Sequence, residues 1–131
     1  MSDPTRDDYF QAIGEVALEI AGEGAGKILI YAEVEDGQVA ADLYFASTPD
    51  VQFRFATPVL EDLILALWDH ERWREGGQEW RTLAFVIEDE RFAVDLGFPE
   101  LLDPDEDIDD RRPGVIIRHF GDRLIDYSNP G

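Results

Sequence analysis

The sequence predicts an α+β domain: an antiparallel sheet of about five strands, in the order α-β-β-β-α-β-β-α, with its main helices on one face. Three observations carry this. The stretch from Lys27 to Phe45, KILIYAEVEDGQVAADLYF, alternates about an Asp36-Gly37 turn, two segments place apolar residues at helical spacing, and two later segments alternate again at period two. At 131 residues and 44% hydrophobic, the chain can bury one ordinary core, so residues 1–131 are expected to form a single domain.

The first helix is expected to begin at Asp3-Pro4, a cap acceptor followed by proline, with Asp7 and Asp8 near the positive end of its dipole. Tyr9, Ile13, Val16, Ala17 and Ile20 form its apolar stripe, and the glycines at 22, 24 and 26 end it. That glycine run follows a helix and enters a strand, and it lacks the Lys-Ser/Thr pair, so it is not a phosphate-binding loop. Asp-Gly suits the two positive-φ positions of a type I′ turn, which fixes the hairpin register: Val34 opposite Val39, Ala32 opposite Ala41, Ile30 opposite Leu43 and Ile28 opposite Phe45. One face of this ribbon is wholly apolar. The other is mixed, with Leu29, Tyr31 and Glu33 against Tyr44, Asp42 and Ala40, the pattern of a half-buried ribbon.

Ser47-Thr48-Pro49-Asp50 reads as a turn, and Val51, Phe53 and Phe55 alternate with Gln52 and Arg54 as a third strand. Thr57-Pro58 opens a second helix whose stripe is Leu60, Leu63, Ile64, Leu67 and Trp68, with Arg72 and Arg74 at its negative end and Gly76-Gly77 as its stop. A second hairpin pairs Glu79–Glu88 with Arg91–Phe98, setting Leu83, Phe85 and Ile87 against Leu96, Val94 and Phe92 across a turn at Asp89-Glu90. Glu100, Asp103, Asp105, Glu106, Asp107, Asp109 and Asp110 then form an acidic block, read as a solvated loop because like charges repel. Pro113 to Phe120 reads as a brief helix started at its proline, with an added strand as the alternative. In the tail, Leu124, Ile125 and Tyr127 are apolar enough to dock, before a frayed Asn129-Pro130-Gly131.

Thirty acidic residues against eleven basic give a net charge of −19. Direct nucleic-acid binding, which neutralises phosphates with Lys and Arg, is therefore not expected, nor is an anionic membrane partner. With no cysteine there is no disulfide and no thiolate nucleophile. The start MSDPTRDDYF has no basic-then-apolar pattern, so no secretory leader is expected and the cytoplasm is the expected compartment.

Tests for chemistry fail one by one. Asp103, Asp105 and Asp107 have the first three spacings of an EF-hand loop, but Ile108 stands where glycine is required and Gly114 where the bidentate glutamate belongs. No G-x-S-x-G elbow exists, and the many carboxylates form pairs by chance, so neither a serine hydrolase nor a glycosidase is indicated. Asp69-His70-Glu71 reads as a solvated helix end and His119 as a surface or capping residue, since no second histidine or cysteine offers ligand spacing. No catalytic residue, metal or cofactor is expected. Trp80 falls on the strand face opposite Leu83, Phe85 and Ile87, so with Tyr31 and Tyr44 it is expected on the second sheet face, packed there or offered to a partner.

The element order, with Tyr31-Ala32-Glu33-Val34-Glu35-Asp36-Gly37 in the first hairpin and Trp80-Arg81-Thr82-Leu83-Ala84-Phe85 followed by Phe92-Ala93-Val94-Asp95 in the second, resembles the YezG-type family of bacterial immunity proteins. The chain departs from that family after Asp95, where Leu96-Gly97-Phe98-Pro99 replaces a Tyr-rich acidic continuation. The resemblance implies a small acidic antitoxin that neutralises a toxin domain in the cytoplasm of the producing cell, the toxin often being a nuclease. Combined with the charge, it makes a basic protein toxin the expected partner. Asp103, Asp105, Glu106, Asp107, Asp109 and Asp110 are the expected contacts, with Tyr31 and Tyr44 as anchors; a homodimer through the second sheet face stays open. The competing reading is an acidic interaction or regulatory module with an endogenous partner.

Overall fold

Alternation between Ile28 and Ser47 produces the expected hairpin. In the computed structural model, which describes residues 5–35, 37–47, 50–73, 79–89, 91–103 and 105–127, β1 (Ile28–Glu35) and β2 (Gln38–Ser47) pair antiparallel. Ile28 faces Phe45, Ile30 faces Leu43, Ala32 faces Ala41 and Val34 faces Val39, the register read from the turn. Gly37 has φ 75°, the left-handed conformation a type I′ turn needs, while Asp36 lies outside the described residues.

The second hairpin, β4 (Thr82–Glu88) and β5 (Arg91–Gly97), also has its expected register, and it joins the first through β4 against β1, Ile28 opposite Ile87 and Ala32 opposite Leu83. With β3 (Asp50–Phe55) and a two-residue β6 (Ile125–Asp126), the described residues form a six-stranded sheet in the order β5-β4-β1-β2-β3-β6. Only β6 runs parallel to its neighbour; it is the docked tail. The domain is therefore α+β, with one strand more than the five expected.

Two helices cover the face that carries Ile28, Ile30, Ala32 and Val34. α1 (Arg6–Ala21) buries Phe10, Ile13 and Ala17, and α2 (Pro58–Trp73) buries Leu60, Ile64, Leu67 and Trp68, all in one cluster with Leu43, Phe45, Leu83 and Phe85. Each such Leu, Ile or Phe side chain stabilises by roughly 1.5–3 kcal/mol when fully withdrawn from water. The start of α1 differs from expectation. Thr5 is the cap: its hydroxyl accepts from the Asp8 amide while Asp8 Oδ2 accepts from the Thr5 amide, and Asp3-Pro4 lies outside the described residues. Thr57 Oγ1 caps α2 as expected; its proposed end at Arg74 and Gly76-Gly77, like Thr48-Pro49, Glu90 and the last three residues, lies outside the described residues.

The end of α2 is less solvated than its polar triplet suggests. Glu71 is buried and pairs with Arg6 at 3.1 Å, tying α2 to the start of α1, and the half-buried His70 ring lies 5.3 Å from Tyr9. Trp80 is a second correction. β4 begins at Thr82, so Trp80 escapes the strand alternation and packs in the helix-side core, where its carbonyl accepts from Trp68 Nε1 at 2.9 Å. It therefore shares no face with Tyr31 and Tyr44.

The second face is covered by α3 (Ile108–Phe120), which buries Ile116 and Phe120 against Leu29, Tyr31, Tyr44, Val51, Phe53 and Ala84. This helix starts within the acidic block rather than at Pro113. Asp107 and Asp110 form a capping box, and that favourable start offsets a proline at the sixth helical position, where one hydrogen bond is lost.

Gly97 sits opposite Thr82 at the open end of the second hairpin, where an added Cβ would fall too close to Thr82 Oγ1 for any real contact. Gly97→Ala is expected to cost about 1–3 kcal/mol in urea unfolding through overpacking. Adding Thr82→Ala should restore most of that loss; a double variant no better than Gly97→Ala would mean that this close approach is not the cause.

Candidate functional site

Strand alternation sends Leu29, Tyr31 and Glu33 of β1, with Asp42 and Tyr44 of β2, to the second face. Glu33 is 6% exposed there, in a strand whose other residues from Ile28 to Val34 are all buried. A buried carboxylate demands donors, and α3 supplies them. Arg111 Nε donates to Glu33 Oε2 at 2.9 Å and Nη2 to Oε1 at 2.5 Å, a bidentate fork, while Nη1 donates to the Glu106 carbonyl at 2.7 Å. The Tyr31 hydroxyl donates to Glu33 Oε2 at 2.6 Å, and Arg81 Nε stands 3.9 Å from Oε1 while its Nη2 reaches Glu35 at 2.9 Å. One residue along α3, Arg112 pairs with Asp42 and with Asp109, the latter at 2.8 Å.

The electrostatics follow from this geometry. Burial pushes the Glu33 carboxyl up, but the hydrogen bonds from Arg111 and Tyr31 and the charges of Arg111 and Arg81 outweigh it and hold Glu33 below the usual carboxylate range. Burial, then Glu33, drives the Tyr31 phenol far above its ordinary value, and Tyr44 is raised to about 12 by burial and then by Asp42. A carboxylate locked in its charged form beside neutral phenols is a poor proton carrier near neutral pH, so the cluster acts as a structural lock. His119 is lowered by burial, then by Lys27 and Arg118; its backbone carbonyl accepts from Lys27 Nζ at 3.0 Å.

The acidic block gathers at the start of α3, where Asp103, Asp105, Glu106, Asp107, Asp109 and Asp110 are all exposed. Their roles differ. Asp107 and Asp110 cap the helix, Asp103 Oδ1 accepts from the Asp105 amide at 2.9 Å, Asp109 holds Arg112, and Glu106 holds Arg111 through its carbonyl. Among the described residues no three His, Asp or Glu side chains converge as a metal site. Tyr31 and Tyr44, expected as anchors, are 3% and 1% exposed because α3 lies over them. They are core residues, not surface contacts. The mixed face is thus buried at Leu29, Tyr31, Glu33 and Tyr44, beyond the half-burial expected, while Asp42 stays half-buried and Ala40 exposed.

A small cleft of about 380 Å³ reaches Glu33 beside Arg81 and Ile108, and three larger ones border the same elements. One of about 480 Å³ separates α3 from β3 and β6, with Tyr44, Phe53 and Ile116 among its lining and Ile117 and Tyr127 at its mouth. Another, of about 460 Å³, separates α3 from β4 and β5 and is lined by Asp95, Glu106 and Asp110. The third, about 690 Å³, lies on the other side between α1 and the β4–β5 turn. No described helix is long and apolar enough to cross a membrane. No protein-family model matches the chain, and comparison with curated proteins finds no match.

Arg111→Ala leaves Glu33 buried without its fork and is expected to destabilise by about 3–5 kcal/mol in urea unfolding, the cost of breaking a buried pair. A loss below about 1 kcal/mol, the level of an exposed pair, would show that the pair is solvated.

The lock also sets the pH limits. Because the folded-state value of Glu33 lies below its unfolded value, its contribution is complete above the unfolded value and is lost as pH falls through the folded one. Tyr44, raised from 10.0 to about 12, contributes fully below pH 10 and loses that contribution as pH rises toward about 12. Glu33→Gln should therefore flatten the acid limb of the stability profile relative to the parent, and Tyr44→Phe the alkaline limb. Unchanged limbs in both variants would contradict the assignment.

Proposed function

We propose that this chain is a non-catalytic immunity protein that binds and neutralises a cognate bacterial toxin domain with a basic surface, a nuclease being the favoured class. The observation that carries the reading is the excess of exposed carboxylates, sharpened because four of the arginines are turned to partners within the fold. Arg111 and Arg112 turn inward to Glu33 and Asp42, Arg6 turns to buried Glu71, and Arg54 lies over the Phe45 ring. With a net charge of −19, this leaves an outer surface dominated by carboxylates, densest from Asp103 to Asp110.

Such a surface accelerates encounter with a basic protein and occupies the groove where phosphates would bind, so inhibition needs no chemistry from the inhibitor. Complexes of nucleases with their immunity proteins are among the tightest known. The resemblance of both hairpins to the YezG-type family supports the same class of partner, and the cytoplasm of the producing cell is the compartment in which the protection would act.

Affinity capture of the tagged chain from its own organism, grown in mixed culture with relatives, tests this. The expected result is a basic toxin domain retained through a high-salt wash, whose activity is abolished by an equimolar amount of this chain. Neutralising Asp103, Asp105 and Glu106 to their amides should slow association with that toxin about tenfold at low salt and much less at high salt. Retention of an endogenous protein without toxic activity would replace the reading with that of an acidic regulatory module.

A further inference from the structure

Half of the large apolar side chains left in water among the described residues gather at one edge, the others, Leu18, Val59, Trp73 and Phe92, being spread over α1, α2 and β5. Phe55, Ile117, Leu124 and Tyr127 are each more than half exposed, and they lie on or beside β3, β6 and the second half of α3. Between α3 and β6 opens the cleft of about 480 Å³, within the range of roughly 300–1,000 Å³ typical of binding clefts. Its lining includes the buried Tyr44, Phe53 and Ile116, and Ile117 of α3 and Tyr127 after β6 flank it.

We infer that this cleft receives an apolar, preferably aromatic, side chain presented on a Lys- and Arg-rich segment of the partner protein. The aromatic preference follows from ring geometry. Phe53 holds Phe55 edge-on at 5.1 Å and Tyr127 tilted at 5.0 Å, so the two outer rings form an exposed aromatic rim that an incoming ring extends.

The basic flanks follow from charge. The cleft's own lining is balanced, Asp109 and Asp122 standing with Arg112, which pairs with Asp42 and Asp109, and Arg123, which holds the Asp50 carbonyl; the excess negative charge that a basic flank meets lies in the adjoining carboxylates from Asp103 to Asp110. Asp109 also belongs to the acidic block, so the cleft continues the surface assigned to the basic toxin. A second copy of this chain, carrying the same −19, is repelled. The inference rests on the partner being a basic protein; it supplies the anchoring contact that Tyr31 and Tyr44, being buried, cannot.

Amide spectra of the isotopically labelled chain, titrated with the synthetic peptide KKRFRKK and with KKRARKK, test it. Both peptides should shift amides between Asp103 and Asp110 at low salt. Only the phenylalanine peptide should also shift Ile117, Ile125 and Tyr127, and it should bind about tenfold tighter, the effect of partly burying one ring. Tyr127→Ala and Ile117→Ser alter exposed side chains and should remove that tenfold gain without changing the affinity for the alanine peptide. Equal affinities and equal shifts for the two peptides would overturn the cleft while leaving the acidic surface standing. So would phenylalanine-dependent shifts confined to Leu18 and Phe92 at the other groove. If neither peptide shifted any amide at low salt, the cleft and the basic-partner reading would fall together.

Discussion

A single carboxylate in the middle of the sheet dictates the arrangement around it. β1 has strand neighbours on both edges, α1 and α2 on one face and α3 on the other, so Glu33 is almost wholly withdrawn from water. An unpaired carboxylate there would be prohibitively costly, and the fold answers by bringing Arg111 from 78 residues away. Once that fork is made, the position of α3 is largely set: Arg112 falls on Asp42, Ile116 and Phe120 fall on Leu29 and Val51, and the tail turns back to add β6 beside β3.

Burying this pair is not an obvious route to stability. Apolar residues of similar size often do as well or better than a buried ion pair, by about 1–4 kcal/mol. What the pair supplies instead is direction. A hydrophobic helix can slide on a sheet of Leu, Val and Phe with little change in contact energy, whereas a bidentate fork plus a tyrosine hydroxyl fits in one place. The neighbouring Arg112 contacts and the Lys27 ammonium against the His119 carbonyl fix the helix at further points along its length.

The same pairing explains what sequence alone could reveal. Both hairpins were legible because register depends on local alternation, and the Asp-Gly turn pinned the first one without reference to the rest of the chain. Both large helices were legible because their stripes are apolar. α3 was legible only from Pro113 onward: its first turns hold acidic residues that read as a solvated loop, and two arginines whose partners, Glu33 and Asp42, lie far away in sequence. A signal was present in the Asp107-x-x-Asp110 box and in the helical spacing of Ile108, Val115, Ile116 and Phe120, but Pro113 outweighed it. The burial of Tyr31 and Tyr44 was hidden for the same reason, because without α3 their face has no cover.

Placement of α3 has two consequences for recognition that pull in one direction. Arg111 and Arg112 are spent beneath it, so the first half of a helix that looks mixed in charge presents mainly Asp109, Asp110 and the preceding carboxylates outward, and the exposed cation Arg118 comes only near its end. It also lies closer to β1 than to the β3–β6 edge, and the gap on that side is only partly filled by Tyr127 and Ile117. An acidic rim steers but holds weakly once salt screens it, and an apolar cleft holds but does not steer. On the proposed reading, because one helix builds both, a basic partner drawn in by the first would be delivered to the second, and the internal lock that fixes α3 keeps the two in register.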